Sequence, residues 1–423
     1  MTTRPLRFCM LTTFYPPYSF GGDAIFVRRL ANELARRGHE VHVIHCLDSY
    51  RALGGQEPAA RYDDHPNVTI HGLQSPFKML SPLATQQTGF PVFKRARIRA
   101  ILAKEFDVIH YHNISLIGGP QILKLGRGIK LYTMHEYWLV CPTHALFRFN
   151  RAACRRPYCF LCTLTYRRPP QLWRYSGLLP ASAENIHAFI APSRFARDIH
   201  HRLGLRRPIV RIPLFVPDEH GAPPTTASPM DVEPTLAYFL FAGRLERLKG
   251  VDSLMPVFRR YQRAQLWIAG RGTDESRLRQ LAEGSPNIRF LGPLDAARLE
   301  AMYRRAIALI VPSKCYESFA MVIVEAFRQR TPVIVRNLGA MPELVTDSGG
   351  GLVYSSEADL VAAMDRLIDD PHHREDLGQR GYAAYREKWT PDAHLTQYFA
   401  LIRRIAAGHS VTADLDVAEP SDD

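Results

Sequence analysis

With 423 residues, 46% of them hydrophobic, the chain can bury two ordinary domain cores and is too long for one. No apolar run reaches the length of a membrane span, the N-terminus carries no apolar signal region, and seven cysteines do not suggest a secreted disulfide scaffold, so a cytoplasmic protein is expected. The net charge of +13 suits an anionic substrate or an anionic membrane surface; no zinc-finger, homeodomain or RNP pattern is present, so no nucleic-acid partner is expected.

The first strand reads over Leu6–Thr13 and runs into a Pro/Gly-rich loop that ends at Gly21-Gly22. A helix follows at about 24–37, with Ile25, Phe26, Leu30 and Leu34 on one face and Gly38 as its stop. Strand-like runs recur at Val41–His45, Val68–Ile70, Val108–His112, Lys130–Thr133, Ala188–Ala191 and Ile209–Ile212. Pro217–Pro234, rich in proline and without periodicity, reads as a linker. Beyond it, strands at Leu236–Ala242, Gln265–Ala269, Ile288–Leu291, Ile307–Val311 and Pro332–Val335 alternate with helices at about 249–261, 274–283, 295–305, 318–329, 357–369 and 373–387. The fold class is therefore α/β, with doubly wound domains over 1–216 and 236–389 joined by a linker at 217–235. A last helix at 390–408 precedes an acidic tail, 409–423, expected to be disordered.

Two such domains facing one another bring strand C-terminal ends to a common cleft, where ligands of these sheets bind. Most candidate motifs fall at strand ends. Gly21-Gly22 could let the backbone approach a phosphate, or be an ordinary turn; its spacing is not G-x-G-x-x-G, so hydride chemistry is unsupported. In Gly243-Arg-Leu-Glu-Arg-Leu-Lys-Gly250, Arg244 and Lys249 could reach a diphosphate, the alternative being a solvated basic loop. Glycines in Ala269–Gly272 and Phe290–Pro293 could let a flat base lie against the backbone. His135 could hydrogen-bond a sugar hydroxyl or be structural, as His39, His42, His45, His110 and His112 are read to be.

The stretch Glu317-Ser-Phe-Ala-Met-Val-Ile-Val-Glu325 follows an apolar strand and enters a helix near Ser318, a plausible N-cap. Helix N-termini hold phosphate, and the two carboxylates, roughly 12 Å apart on an all-helical path, could grip hydroxyls either side of a diphosphate. Otherwise they are two solvated glutamates on a buried helix. No Asp-x-Asp pair sits in a credible site, so a diphosphate leaving group would be neutralised by arginine, lysine and helix N-termini rather than by carboxylate-held magnesium. Cys141, Cys154, Cys159 and Cys162 could hold a structural zinc, or be free thiols or a redox pair. The arginine- and aromatic-rich segment 148–174 around them could touch acidic headgroups, or be a solvated insertion.

Taken together, these residues resemble the retaining glycosyltransferases of family four, whose GT-B fold pairs two Rossmann-like domains with a C-terminal crossover helix. The resemblance runs from Phe8 to about Phe399. It rests on Gly21-Gly22, Gly243-Arg244 with Lys249-Gly250, Glu317 through Glu325, Arg330–Ile334 and Gly339–Val345. It implies a hexosyltransferase that needs no metal and uses a nucleotide-diphospho-sugar donor. Arg244 and Lys249 would bind the diphosphate, Glu325 the ribose, and backbone N–H groups near Ala320, Met321 and Val322 the distal phosphate. Glu317 would face the donor sugar, Gly22 would close over the phosphate, and His135 would hydrogen-bond the sugar.

The same resemblance, with the basic charge, implies a saccharide or lipid-linked acceptor in surface polysaccharide or glycolipid assembly, reached peripherally at the inner membrane face. The chain departs from the family in having Ala320 where glycine is usual and Gln329-Arg330 where Cys/Ala-Gly is frequent. The competing readings are a nucleotide-sugar epimerase of the same fold and a catalytically inactive membrane-surface binding protein.

Overall fold

The structure, a computed structural model, describes residues 4–58, 62–218 and 237–409. The chain forms two compact units. Of the described residues, one comprises those within 4–145, 158–214 and 394–409; the other comprises those within 146–157 and 215–393. Most of the expected linker, residues 219–235, lies outside the described residues, as does the acidic tail beyond His409.

In the first unit, strands β1 (Arg7–Leu11), β2 (Glu40–Cys46), β3 (Val68–Leu73), β4 (Val108–Tyr111) and β5 (Ile129–Thr133) are followed by a short hairpin, β6 (Phe147–Arg148) with β7 (Ala152–Ala153), that belongs to the second unit. Strands β8 (Ala188–Ala191) and β9 (Ile209–Arg211) then complete a seven-stranded parallel sheet ordered β3-β2-β1-β4-β5-β8-β9. Apart from the edge strand β3, its strands are buried nearly throughout, which is why they read as continuous apolar runs rather than alternating ones. The helix Gly22–Arg36 presses Phe26, Val27, Leu30 and Leu34 inward, and its first turn carries Asp23, favourable at a helix N-terminus. The final helix, Pro391–Ala406, enters this unit from His394 onward, and the Tyr398 ring stacks near Phe8 and His110.

In the second unit, β10 (Tyr238–Ala242), β11 (Gln265–Ala269), β12 (Ile288–Gly292), β13 (Leu309–Val311), β14 (Val333–Arg336) and β15 (Gly351–Tyr354) form a parallel sheet ordered β12-β11-β10-β13-β14-β15. Phe239, Phe258, Leu266, Ile268 and Ile310 sit at its core. Two expectations change here. The helix at 249–261 is instead two 3-10 turns, Arg247–Lys249 and Val251–Ser253, and a short helix, Met255–Arg260. The break falls at Gly250, whose φ of +74° no α-helix accommodates. The helix expected at 318–329 begins at Met321, with Ala320 and not Ser318 at its N-cap. Glu317 O accepts a bond from Ala340 N at 3.1 Å, which fixes the backbone just before the expected start.

Candidate functional site

In each sheet the strand order reverses at one place, between β1 and β4 in the first unit and between β10 and β13 in the second. Such switch points open a crevice at the strand C-terminal ends. The second unit's switch point carries the densest polar cluster. The loop after β10 runs through Arg244 to Lys249, and the loop after β13 runs through Pro312 and Ser313 to Glu317. Lys314 N donates to Leu248 O at 2.8 Å, and Lys314 Nζ meets Asp252 at 2.7 Å, so the two loops are stitched together. Gly250 makes this approach possible, since a Cβ there would collide with the Pro312 carbonyl oxygen.

Across the junction, Lys249 Nζ donates to Glu317 Oε1 at 2.8 Å and Ser313 Oγ donates to the same oxygen at 2.7 Å. The Lys249 and Glu317 side chains are only 24% and 14% exposed. Burial works against the charge on both, but each supplies the other's counter-ion. The Glu317 carboxyl stays below the ordinary glutamate value and the Lys249 ammonium above the ordinary lysine value, both charged at neutral pH. The Lys249 ammonium keeps two N–H donors beyond this bond, and Glu317 keeps its Oε2. Arg244 is half exposed and pairs with Glu246 at 2.7 Å. The structure thus brings Lys249 and Glu317 into contact, each of which the sequence assigned separately. Ser313 and Gly250 complete the pair's surroundings; sequence reading missed Ser313, whose only signal was its place in the same strand-end loop. Beside them the buried Cys315 thiol is pushed up to about 12, chiefly by burial and then by Glu317, and is inert as a nucleophile.

The helix Met321–Arg328 starts immediately after this loop, and among the described residues no side-chain hydrogen bond caps it. Its buried face is Ile323, Val324, Ala326, Phe327 and Arg328. Met321, Val322 and Glu325 therefore share the partly exposed face, with Met321 and Glu325 one turn apart. Ala320 is buried at the N-cap.

In the first unit, Gly22 opens the helix Gly22–Arg36, and a Cβ placed on it would meet no atom within 4 Å. The fold does not require glycine there. Asp23, in the same turn, accepts from Asn113 Nδ2 at 3.3 Å, which ties the end of β4 to the helix start. His135 follows β5; its Nε2 lies 2.9 Å from His112 Nδ1, and its ring stands 5.4 Å from Phe26. Burial, opposed by Asp23, pushes its pKa down to about 4, so at neutral pH it is an uncharged hydrogen-bonding group. His110 bonds Thr133 Oγ1 at 2.8 Å and Tyr398 OH at 2.9 Å.

The cysteine cluster requires a correction. None of the seven cysteines is in a disulfide, and among the described residues no three His, Cys, Asp or Glu side chains converge as a metal site. The structural zinc is therefore not supported. Within the arginine-rich segment, Arg174 is not a surface charge, since it lies over the Trp138 and Trp173 rings and donates to Trp138 O at 2.8 Å.

Residues 20–220 match the model described as Glycosyltransferase Family 4, and residues 230–384 the model described as Glycosyl transferases group 1. The chain belongs to glycosyltransferase family four. A D-inositol 3-phosphate glycosyltransferase of Pseudarthrobacter chlorophenolicus is 28% identical, covering 93% of each chain. An MMP alpha-(1->4)-mannosyltransferase of Mycolicibacterium hassiacum is 25% identical over 85% of this chain and 89% of that one. Among solved structures, a sucrose-phosphate synthase from Thermosynechococcus elongatus superposes with a TM-score of 0.74 at 20% identity, covering 95% of this chain and all of that one. HepE of Anabaena, in complex with UDP and glucose, gives 0.66 at 16% identity over 94% of this chain and 99% of that one. The fold of the glycosyltransferase is GT-B. Among its described residues, no helix is long and apolar enough to cross a membrane.

Proposed function

We propose that this glycosyltransferase moves a hexosyl group from a nucleotide-diphospho-sugar to an acceptor hydroxyl with retention of configuration, without a metal ion. The observation that carries the reading is the Lys249–Glu317 pair at the β10/β13 switch point, immediately before the N-terminus of the helix Met321–Arg328. The spare N–H groups of Lys249, the exposed guanidinium of Arg244 and the backbone N–H groups of Ala320, Met321 and Val322 supply positive potential for a diphosphate. Glu317 holds Lys249 charged and offers its Oε2 to the donor sugar, while Glu325 on the open helix face anchors the ribose. Gly22 and His135 are assigned to the same donor, Gly22 through its open backbone and His135 as a neutral hydrogen-bonding partner. That HepE of Anabaena was solved with UDP and glucose supports a donor of this class.

In the reaction, the bond from the anomeric carbon to the β-phosphate oxygen breaks while the acceptor oxygen bonds that carbon on the same face. The departing phosphate oxygen takes the acceptor's proton. The protein orients the reactants and stabilises the charge growing on the diphosphate, and contributes no nucleophile. The acceptor is assigned to surface polysaccharide or glycolipid assembly.

Lys249→Ala tests the reading. Binding of the preferred donor, found by thermal-shift screening of nucleotide-sugars, should weaken by about 30-fold or more, and transfer should fall further. Unchanged donor affinity and transfer would remove the diphosphate assignment. A chelator should leave transfer intact, and a product that is free sugar of changed configuration, formed without acceptor, would point to an epimerase.

A further inference from the structure

Seventeen large hydrophobic side chains are exposed among the described residues, and thirteen of them fall within residues 77–93 and 158–175. The helices in these stretches are inside out. In Leu80–Thr88 the buried residues are Ser81, Pro82 and Thr85, while Leu80 and Leu83 are 59% and 43% exposed. In Cys159–Thr165 the buried residues are Cys162 and Thr163, while Leu161 and Leu164 are 58% and 48% exposed. An amphipathic helix of a water-soluble surface does the reverse. Both helices lie in the first unit. The 3-10 turn Leu172–Tyr175, which follows the second helix in the chain, is tied to the first: Trp173 Nε1 donates to Gln86 O at 2.8 Å, and Leu172 and Tyr175 are also exposed.

The charged residues along these two stretches have one sign. No aspartate or glutamate occurs from His65 to Lys104 or from Tyr137 to Ala183. Lys78, Arg95, Arg97, Arg99, Arg167 and Arg168 are all exposed.

We propose that the two inside-out helices and the turns beside them form a docking surface for an anionic lipid bilayer. Outward leucine and aromatic side chains enter the boundary between headgroups and acyl chains, and the basic rim pairs with headgroup charge. A second copy of the chain fits poorly. A two-fold interface would set this basic surface against itself, and like charges across an interface oppose association. The surface extends the membrane contact expected from residues 148–174 to a segment, 77–99, that carried no assignment, and it is separate from the donor-binding residues.

The test is flotation of the full chain, without donor, on vesicles of equal parts phosphatidylcholine and phosphatidylglycerol, and on phosphatidylcholine alone. The wild type should float with the anionic vesicles, more weakly at high salt, and hardly at all with the neutral ones. Leu80→Asp with Leu83→Asp, and separately Leu161→Asp with Leu164→Asp, should weaken partitioning about tenfold or more. Arg95→Glu with Arg97→Glu should do the same, while Val353→Asp, an exposed apolar site in the other unit, should not. Unchanged nucleotide-sugar binding and melting identify variants that remain folded. A wild type that does not float, or folded variants that float as well as it does, would overturn the proposal. So would a wild-type dimer in sedimentation that the leucine variants dissociate without any vesicle binding having been seen.

Discussion

Lys249 and Glu317 are each poor residues to bury alone and good ones to bury together. Because the Glu317 carboxyl is held below its ordinary value of 4.5, its contribution to stability is complete above that pH and lost as pH falls through the lower folded value. The Lys249 ammonium is raised above 10.5, so its contribution is complete below that pH and lost as pH rises through the higher folded value. The pair is therefore intact across the neutral range, and donor binding there should show no titration of either group. Gly22 gives the sharpest separation of stability from function. It is a first-turn helix position with no atom near a prospective Cβ. Gly22→Ala should raise or preserve stability, with a change within about 1 kcal/mol in favour of alanine. If the open space belongs to the donor phosphate, the same methyl should cut transfer about tenfold or more. The check is a melting curve beside a transfer assay; full activity in the stable variant would remove Gly22 from the donor site.

At the scale of elements, the junction of the two strand-end loops hangs on Gly250. Gly250→Ala adds a Cβ against the Pro312 carbonyl in a left-handed conformation, φ +74°. It should destabilise the second unit by about 2 kcal/mol or more, measurable as a lowered denaturant midpoint, and pull Lys249 from Glu317 so that donor affinity falls with it. A variant as stable as the wild type would mean that the loops separate without cost. The same element shows what a sequence can and cannot carry. Every strand expected from an apolar run is present, because a parallel sheet buried on both faces leaves that run as its signature. Strand β15 (Gly351–Tyr354) was not anticipated: it sits at the sheet edge, partly exposed, and opens with glycine, so it lacks the signal. Residues 249–261 read as one helix because their apolar spacing is helical, while Gly250 serves a contact with the distant Pro312. Arg330 is a related case. The family resemblance leads one to expect glycine there, and the φ of Arg330 is +56°; its guanidinium lies 4.0 Å from the Tyr382 ring centroid, a contact that helps offset the strain. The inside-out helices give no signal in the sequence, because periodicity assumes that apolar faces point inward. Among the candidate site residues, Lys249 and Glu317 were legible as residue types at strand ends, but their mutual bond depends on strand order, which one sequence does not display.

Over the whole molecule, the histidines are distributed unevenly, and that gives the two units different responses to acid. His45, His71, His135, His200 and His394 are pushed down to about 4, and His110 and His112 well below the ordinary histidine value, chiefly by burial. All seven belong to the first unit. A depressed imidazole pKa means that the unfolded chain binds protons more readily than the folded one. Stability from these groups is complete above the unfolded value near 6.5 and drains away as pH falls from there toward 4. At about pH 5.5 each deeply buried imidazole among them costs about 1 kcal/mol, the half-buried His71 less because solvent screens it, and several together are a large part of the 5–15 kcal/mol that holds a typical domain. Among its described residues the second unit has no such set, and its Glu317 acts only at lower pH. The first unit should therefore lose global protection by about pH 5 while the second retains it. Amide hydrogen exchange, corrected for intrinsic rate, reads this directly: β4 and β5 should lose protection between pH 7 and pH 5, and β10 and β13 should keep it. Equal protection of β4 at both pH values would show that these histidines are not held neutral by burial. His135 would then be free to titrate at physiological pH, and its assignment as an uncharged partner of the donor sugar would fail with it.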